Sequence, residues 1–308
     1  MTELEALGSL VQALAEDRHA PSADPGRIRA GGLAPMAYTH GLAEYRADYA
    51  LSSIRAEQQR AIAREAVDAL IAIDVPVILL KGISYAGWLY SDPAERPMTD
   101  VDLLVAAEHH GRAEEALGHL GYRHAGPRIQ RSARHHAMTF KRPNAAVDLH
   151  RNPAQQGRIA IPMREVWGRA RPAAWVPGAL RLAELDELLF HLANLARHDL
   201  IVPLVSFVDA GRMLRRLDEA AIATLSQRAR GWRFGRVGDA CLEAVGVVCG
   251  WRAPRRWWLP SRDELLGAGL PRRPVQLGRK LLLVEGPREL AAYGHAVIDG
   301  WLTALRRQ

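Results

Sequence analysis

Three aspartates in two short apolar segments are the residues whose spacing most clearly points to chemistry. Asp100 and Asp102 lie two apart in TDVDLLV, and Asp148 lies in AVDLHR. Each segment has the composition of a β-strand, in which side chains two apart point the same way. Two carboxylates held side by side repel each other, and burying them together is costly. The commonest compensation is a divalent cation bound between them.

The third carboxylate joins the other two only if both strands lie side by side in one sheet. In that arrangement Asp100, Asp102 and Asp148 would converge on two Mg²⁺ ions roughly 3.5–4 Å apart. One ion would lower the pKa of an attacking hydroxyl, and the other would hold a triphosphate and its leaving oxygen. His150 would share a face with Asp148, where it either shuttles a proton near neutral pH or hydrogen-bonds nearby backbone.

A Lys-Gly turn precedes the aspartates, between the predicted strand VPVILL and a short helix expected from about residue 84 to 90. Gly82 allows a ligand to come close to the backbone. The N-terminus of the helix offers free N–H groups to a phosphate, and the hydroxyl of Ser84 adds another hydrogen bond. The turn lacks the Gly-rich sequence of a Walker motif, which excludes a P-loop.

Lys81 and Arg96 are the cations expected to balance phosphate charge beside this turn. Lys81 could instead form a structural ion pair with Asp102, and Arg96 could be a solvated loop residue. The histidine pairs at 109–110 and 135–136 lack metal-ligand spacing with any partner, so both pairs are predicted to be surface residues.

The elements around these motifs predict an α+β fold with a small mixed sheet. The order strand–helix–strand–helix–strand–strand defines a core at residues 75–152. Leucines at helical spacing and a long amphipathic stretch predict an N-terminal helical region at residues 1–74. Beyond residue 153 strands become hard to find. Helical patterns there predict an all-helical C-terminal domain at residues 153–308, ending in two helices after residue 275.

The charge of the chain favours anionic partners such as nucleotides, nucleic acid or acidic peptides. The net charge is +7 and the pI is about 9.8, although so much arginine is also typical of a GC-rich coding bias. The N-terminus lacks the pattern of a signal peptide, and no apolar stretch approaches the roughly 18 residues of a membrane helix. The two cysteines make neither a disulfide framework nor a metal motif. The expected location is therefore the reducing cytoplasm, with no membrane partner.

Taken together, the motifs resemble the DNA polymerase beta-like nucleotidyltransferase superfamily, in which a Gly-containing turn precedes a DxD strand and a third Asp lies on a later strand. More narrowly, the chain is similar to a bacterial family of uncharacterised nucleotidyltransferases often found in lasso-peptide and other peptide natural-product gene clusters. The matching elements are LLKG (79–82), LY (89–90), ERPMTDVDLLV (95–105), LGY (120–122) and VDLH (147–150). HLANLARHD (191–199) and FVDAGRML (207–214) match that family's helical His…His…Asp pattern. The resemblance covers about residues 65–215.

The resemblance implies a role for each matching residue. Asp100, Asp102 and Asp148 would hold the metal ions, and Asp148 would also take the proton of the acceptor. The residues implied for nucleotide binding are Lys81, Gly82, Ser84, Arg96, His150 and His198. Ile83 separates Gly82 from Ser84, whereas many superfamily members have Gly-Ser or Gly-Gly adjacent.

The helical His…His…Asp pattern leaves two roles open. His191 and His198 are seven apart and share one helix face. With Asp209 they would either contact the nucleotide or acceptor, or form hydrogen bonds at the interface between the domains.

The expected function is Mg²⁺-dependent transfer of a nucleoside monophosphate, or a phosphoryl group, from an NTP to a hydroxyl of a small molecule or modified peptide. One alternative is a toxin-like transferase that adds nucleotides to tRNA, because abortive-infection toxins have a similar Lys-Gly-Gly-Thr turn. Dense basic residues between Arg123 and Arg158 suit a polyanion, but RNA is the weaker expectation because aromatic residues for stacking are nearly absent there. Another alternative is a non-catalytic nucleotide-binding module.

Overall fold

The computed structural model describes residues 2–126, 136–152, 159–252, 255–256, 258–267 and 273–291. Arg128, Arg131 and Arg134 of the basic segment lie outside the described residues, as does most of the last helix expected after residue 286.

The described residues form one mixed sheet and a set of helices around it. The strands are β1 (Ile78–Leu80), β2 (Val101–Leu104), β3 (Arg123–His124), β4 (Ala137–Arg142), β5 (Ala145–His150), β6 (Arg171–Pro172) and β7 (Leu180–Arg181). The helices before the second strand are α1 (Glu3–Ala15), α2 (Pro25–Ala30), α3 (Ala34–Thr39), α4 (Arg46–Ile71) and α5 (Lys81–Tyr85). Those that follow it are α6 (His110–His119), α7 (Met163–Arg169), α8 (Glu184–Arg197), α9 (Val205–Leu214), α10 (Glu219–Gly231), α11 (Gly235–Val248), α12 (Arg262–Leu265) and α13 (Arg273–Leu282).

The strand order β3-β4-β5-β2-β1-β7-β6 confirms the mixed sheet of an α+β fold. The central strand β2 is antiparallel to β1 and parallel to β5. The β2–β5 register sets Asp102 directly opposite Asp148, and Leu104 opposite His150. Because side chains alternate along a strand, the two aspartates lie on the same face of the sheet. The side-by-side arrangement that the sequence left conditional is therefore the one that forms.

Strict alternation divides β2 and β5 between two environments. Val101 and Leu103 of β2, with Val147 and Leu149 of β5, point into a core that also contains apolar residues of α4 and α6. On the opposite face, Leu104 joins a second core that includes residues of α1 and of α8 to α11. The polar residues at the alternate positions of both strands consequently face the side of the sheet on which the helical part of the chain packs.

The helices at the two ends of the chain share that second core. Leu10 and Leu14 of α1, Val208 of α9 and Val248 of α11 are fully buried in it. The leucine-rich face of α1 therefore packs against C-terminal helices, and this packing removes its apolar surface from solvent. The regions predicted at 1–74 and 153–308 are joined by this packing, and their boundaries stay a prediction.

Two local features differ from the sequence pattern. The strands β6 and β7 follow residue 153 and extend the sheet, β7 pairing in parallel with β1. Each has only two residues, which is too short for an alternating pattern to be recognised. The helix after the Lys-Gly turn spans Lys81–Tyr85 and ends before Gly87, whose φ of +83° no right-handed helix accommodates.

Among the described residues, no helix is both long and apolar enough to cross a membrane.

Candidate active site

Asp102, Asp148 and His150 form a compact cluster on the face of β2 and β5 that the register creates. One ligand atom from each of the three residues lies within 4.8 Å of the others. Asp102 and His150 are buried, whereas Asp148 is half-buried and reaches solvent. Asp100 lies one residue before β2, is half-buried and falls outside this tight set. The structure thus brings two of the three predicted carboxylates together with His150, and places the third beside them.

Asp102 is the centre of the cluster's hydrogen bonds. Its Oδ1 atom lies 2.5 Å from Nζ of Lys81 and 2.7 Å from Nε2 of His150. Burial alone would raise the pKa of Asp102, but Lys81 and the hydrogen bond from His150 outweigh it and lower the pKa to about 2. Asp102 is therefore ionised at neutral pH. The ion pair left open in the sequence between Lys81 and Asp102 is present.

Asp100 has the opposite electrostatic balance. Burial, and then the negative charge of Asp102, raise the pKa of Asp100 above its usual range, while the charge of Lys81 opposes the shift. Asp148 adds further repulsion. Asp100 and Asp102 thus share the positive charge of Lys81, and the repulsion among the three carboxylates would be relieved by a bound cation.

Lys81 reaches Asp102 from an unusual backbone conformation. Its φ of +56° lies in the left-handed region, where a residue with a side chain is strained by about 1–2 kcal/mol. The strain occurs at the junction of β1 and α5, where the chain must turn sharply. The turn directs the ammonium group at the carboxylate, and the ion pair offsets part of its cost.

Gly82 is required by close packing within the turn. A Cβ atom at this position would lie 2.7 Å from a guanidinium nitrogen of Arg96 and 2.9 Å from Cγ of Met98. Both distances are shorter than ordinary van der Waals contact, so only glycine fits without displacement. The packing of Arg96 and Met98 is a second reason for glycine here, and the approach of phosphate to Gly82 stays a prediction.

Arg96 fastens the loop before β2 to the helical part of the chain. Its guanidinium donates to Oδ2 of the fully buried Asp209 in α9, at 3.2 and 3.0 Å from Nε and Nη2. Tyr90 donates its hydroxyl to Oδ1 of the same carboxylate at 2.5 Å. The charge of Arg96 is thus balanced by Asp209, and the structure does not place it as a cation facing the aspartates.

Ser84 also faces the helical part of the chain. Its hydroxyl donates to Oε2 of Glu187 in α8 at 2.7 Å, and both side chains are buried. Burial raises the pKa of Glu187 to about 8, although the hydrogen bond from Ser84 and the charge of Arg181 oppose the shift. Glu187 is therefore mainly protonated at neutral pH. In this structure the Ser84 hydroxyl, which the sequence assigns to phosphate, makes a hydrogen bond across the interface between α5 and α8.

His191 joins the same interface and has a structural role. Nε2 lies 2.7 Å from the carbonyl oxygen of Ser206, which can only accept, so Nε2 carries the proton. Nδ1 then accepts from the hydroxyl of Tyr85 at 2.8 Å. Burial lowers the pKa of His191, so the ring is neutral. Of the two roles left open for the helical pattern, this histidine has the hydrogen-bonding one.

His198 ends α8 near the site and remains exposed. Its Nε2 atom accepts from the guanidinium of Arg197 at 2.9 Å. Partial desolvation, followed by the charges of Arg197 and Lys81, lowers the pKa of His198. The charge of Lys81 acts on His198 because the end of α8 approaches the Lys-Gly turn.

Sequence reasoning missed His136 and Arg197. The prediction of surface histidines was wrong for His110, which is buried, and His135 lies outside the described residues. His136 is half-buried, with its ring centroid 5.7 Å from that of His150. Arg197 donates to Nε2 of His136 at 2.9 Å. The hairpin was the available signal, because the antiparallel pairing of Ala137 with His150 brings the preceding residue to the same end of β5.

Comparison with known proteins identifies the family. A family model described as "Uncharacterised nucleotidyltransferase" matches residues 31–245, well over half of the chain. The chain belongs to this family. It is accordingly a transferase enzyme that acts in nucleotide transfer. The resemblance drawn from the Lys-Gly turn and the aspartate spacing is confirmed at this level.

Two solved structures of the antibiotic-resistance factor ANT(2'')-Ia share limited similarity with the chain. The solution structure has a TM-score of 0.41 and 13% identity, and covers 57% of this chain and 92% of that one. The crystal structure with adenylyl-2''-tobramycin has a TM-score of 0.42 and 14% identity, and covers 56% of this chain and 98% of that one. At TM-scores below 0.5 these similarities do not bear on the substrate. No curated protein matches the chain.

Proposed function

We propose that this protein is a Mg²⁺-dependent nucleotidyltransferase. It moves a nucleoside monophosphate from an NTP to a hydroxyl of a small molecule or modified peptide and releases pyrophosphate. The observation that carries the proposal is the parallel register that sets Asp102 beside Asp148, with Lys81 bonded to Asp102. Carboxylates held together next to a lysine suit a metal-bound triphosphate, for which catalysis is mainly positioning and charge neutralisation.

The three carboxylates at the site offer donor atoms that fit Mg²⁺. Asp100, Asp102 and Asp148 offer carboxylate oxygens, the ligands that this hard cation prefers. Burial, and then repulsion from Asp102 and Asp148, raise the pKa of Asp100, and a bound cation would relieve that repulsion. Bound there, Mg²⁺ would neutralise charge on the triphosphate and make the acceptor hydroxyl more acidic. We assign the metal-ligand role to these three carboxylates.

His150 and Lys81 support these ligands, and one of the carboxylates also accepts a proton. His150 donates from Nε2 to Asp102 and fixes the orientation of that carboxylate, as outer hydrogen bonds do for metal ligands. Asp100 and Asp148 are both half-buried, but Asp148 lies in the tight set with His150, so we assign it the role of accepting the proton of an incoming hydroxyl. Lys81, also partly exposed, would contact the phosphates of a bound nucleotide from beside Asp102.

Three residues predicted to bind phosphate instead support the turn in this proposal. Gly82 gives room to Arg96, Arg96 bonds to Asp209, and Ser84 bonds to Glu187. These contacts hold α5 against the helical part of the chain and so keep Lys81 in its strained conformation.

The test uses labelled NTPs with Mg²⁺, a panel of hydroxyl-bearing small molecules and modified peptides, and water as the default acceptor. We expect a labelled acceptor whose mass has increased by one nucleoside monophosphate. EDTA should abolish the labelling, and added Mg²⁺ should restore it. Asp102→Asn should reduce the rate by at least about a hundredfold. Asp68→Asn, which changes an exposed aspartate of α4, is the matched control and should be unaffected.

The outcomes separate the possible readings. Equal labelling by wild type and Asp102→Asn would contradict the proposed site. A product heavier by a single phosphoryl group would replace nucleotidyl with phosphoryl transfer. Label on total tRNA, with none on small acceptors, would overturn the proposed acceptor class while leaving the metal site intact.

A further inference from the structure

A small cavity opens beside the loop that leads into β2, and we call it the α4 cavity. Its volume is about 190 Å³. One face of α4 lines it, because Asp48, Leu51, Ser52 and Arg55 are three or four residues apart, and Pro97 of the loop lines it from the other side. Pockets that enclose a whole drug-sized ligand hold roughly 300–1,000 Å³. The α4 cavity therefore has room for one end of a ligand.

The hydroxyl of Ser52 is a buried polar group without a hydrogen-bond partner. A serine or threonine inside a helix commonly donates to the carbonyl four residues earlier. Ser9 donates to Glu5 and Thr224 donates to Ala220 in this way, both at 2.9 Å. Ser52 is only 5% exposed, and its Oγ atom makes no hydrogen bond among the described residues. An unpaired buried hydroxyl destabilises the fold. Its place in the lining of a cavity points to a ligand that supplies the missing partner.

The charges around the cavity favour an anionic ligand. Arg29 donates from Nε and Nη2 to the carboxylate of Asp48 at 3.2 and 3.1 Å, so these two charges balance each other. Arg55 is exposed and forms neither a hydrogen bond nor an ion pair with any described residue. The cavity therefore carries a net positive charge. A guanidinium presents a planar fork of donors that matches the two oxygens of a carboxylate.

The cavity also offers apolar surface. Leu51 lines it and keeps 49% of its surface exposed, which is high for a leucine on a helix that packs against other elements. Pro35 and Pro97 add apolar walls. A ligand that places an apolar group here would remove part of this surface from water. The lining thus combines a cation, an unpaired hydroxyl and an apolar wall.

The loop that lines the cavity also leads to the carboxylates of the candidate active site. Pro97 lies three residues before Asp100, so their Cα atoms are at most about 11 Å apart. Gln59, one turn after Arg55 on α4, donates from Nε2 to the carbonyl of Thr99 at 3.4 Å. The hydroxyl of Thr99 lies 3.3 Å from Oδ1 of Asp100. A ligand held in the cavity would therefore reach the carboxylates with an extension of about 10 Å.

We propose that the α4 cavity binds the acceptor, and that the acceptor bears a carboxylate next to an apolar group, with the reacting hydroxyl about 10 Å away. The carboxylate binds Arg55 and accepts from Ser52, and the apolar group packs against Leu51. This inference rests on the proposed nucleotidyltransferase function and names its acceptor class. The acceptor oxygen bonds to the α-phosphorus, the bond from that phosphorus to pyrophosphate breaks, and the hydroxyl proton passes to Asp148.

The test is calorimetric titration of the full chain with two carboxylate probes and their uncharged counterparts. One probe is the peptide N-acetyl-Ser-Gly-Gly-Leu, whose hydroxyl lies about 10 Å from its carboxylate, compared with the same peptide amide. The other is a long-chain ω-hydroxy carboxylic acid, compared with its methyl ester. We expect at least one carboxylate probe to bind about tenfold or more tightly than its uncharged counterpart. Which probe does so distinguishes a peptide terminus from a small hydroxy acid.

Two variants test the assigned contacts. Arg55→Gln should remove the preference for the carboxylate probe while leaving the affinity for its uncharged counterpart unchanged. Arg64→Gln, which changes an exposed arginine elsewhere on α4, is the matched control and should bind like wild type. Ser52→Ala should weaken carboxylate binding severalfold, yet its urea unfolding midpoint should be at least as high as that of wild type, because the unpaired hydroxyl is gone.

The inference is overturned if neither carboxylate probe binds, or if Arg55→Gln binds the carboxylate probe within about twofold of wild type. A lower unfolding midpoint in Ser52→Ala with unchanged binding would show that the hydroxyl serves the fold. With Mg²⁺ and labelled NTP, the bound probe should become labelled. If other acceptors are labelled and the bound probe is not, the acceptor role is wrong and the proposed function stands. If the probe binds as expected and nothing is ever labelled, the proposed function fails, and the acceptor role fails with it.

Discussion

Glu187 gives this protein a stability that should fall as the pH rises. The carboxyl group is fully buried between α5 and α8, where it accepts from Ser84. Burial raises its pKa to about 8, with Glu184 and Asp186 adding to the shift and Arg181 opposing it. In the unfolded chain the same group ionises near its usual value of 4.5. Between these two pKa values the folded state holds a proton that the unfolded state has lost.

The sign and size of the effect follow from proton linkage. Because the unfolded state binds fewer protons, the free energy of unfolding declines with pH by up to about 1.4 kcal/mol per pH unit. The contribution is fully present below pH 4.5 and is lost as the pH rises through about 8. Over that window we expect a loss of about 3–5 kcal/mol, a large share of the roughly 5–15 kcal/mol that stabilises a typical domain.

Replacing Glu187 with Gln should remove this dependence, since the amide oxygen still accepts from Ser84 and nothing ionises. We expect Glu187→Gln to match wild type near pH 5 and to be about 3–5 kcal/mol more stable near pH 9. Urea unfolding followed by tryptophan fluorescence measures the difference, and the chain has eight tryptophans. Glu219→Gln, at an exposed position that begins α10, is the matched control.

The reasoning would be refuted if Glu187→Gln and wild type differed by the same amount at pH 5 and pH 9. That result would mean that Glu187 ionises at an ordinary pKa in the folded protein. A pH-dependent difference of similar size in Glu219→Gln would equally show that the effect does not come from burial.

Three further predictions concern the site and its support. Asp148→Asn should lower the transfer rate by at least about a hundredfold without lowering the unfolding midpoint, and a loss confined to stability would contradict it. Asp209→Asn leaves the guanidinium of Arg96 without its buried counter-charge, so urea unfolding should show about 3 kcal/mol of destabilisation. Unchanged stability would mean that Arg96 finds another partner. Gly82→Ala should cost about 1–3 kcal/mol through contact with Arg96 and Met98, and nucleotide affinity should fall with it. Full activity with an unchanged free energy of unfolding would show that the turn accommodates the added methyl group.

The fold class and the strands that carry the candidate site could be predicted because their signals are local. VPVILL, TDVDLLV and AVDLHR read as strands from their composition, and alternation within each one sets which side chains share a face. Asp100 and Asp102 therefore had to share one face of their strand, whereas Asp148 joins them only in the register that the structure has. The short strands β6 and β7 carried too few residues for such a signal.

The partners of Arg96 and Ser84 could not be predicted in this way. Asp209 is 113 residues from Arg96, and Glu187 is 103 residues from Ser84. A charge or hydroxyl beside a Lys-Gly turn suits a phosphate and an interior partner equally well, and no periodicity distinguishes them. Which one it meets depends on how the helical part packs against the sheet.

The sequence by itself determined the chemistry available to this protein: the carboxylates, the lysine beside the glycine and the strands that carry them. Tertiary structure decided how those residues are used. The parallel pairing of β2 with β5 aligned Asp102 with Asp148, because a register shift of one residue would have turned one of them to the opposite face. The packing of α8 and α9 engaged Ser84 and Arg96 in the interface and brought Arg197 to the cluster. Hydrogen bonds between distant segments form only where burial of apolar surface brings those segments together, and local sequence does not encode that distance.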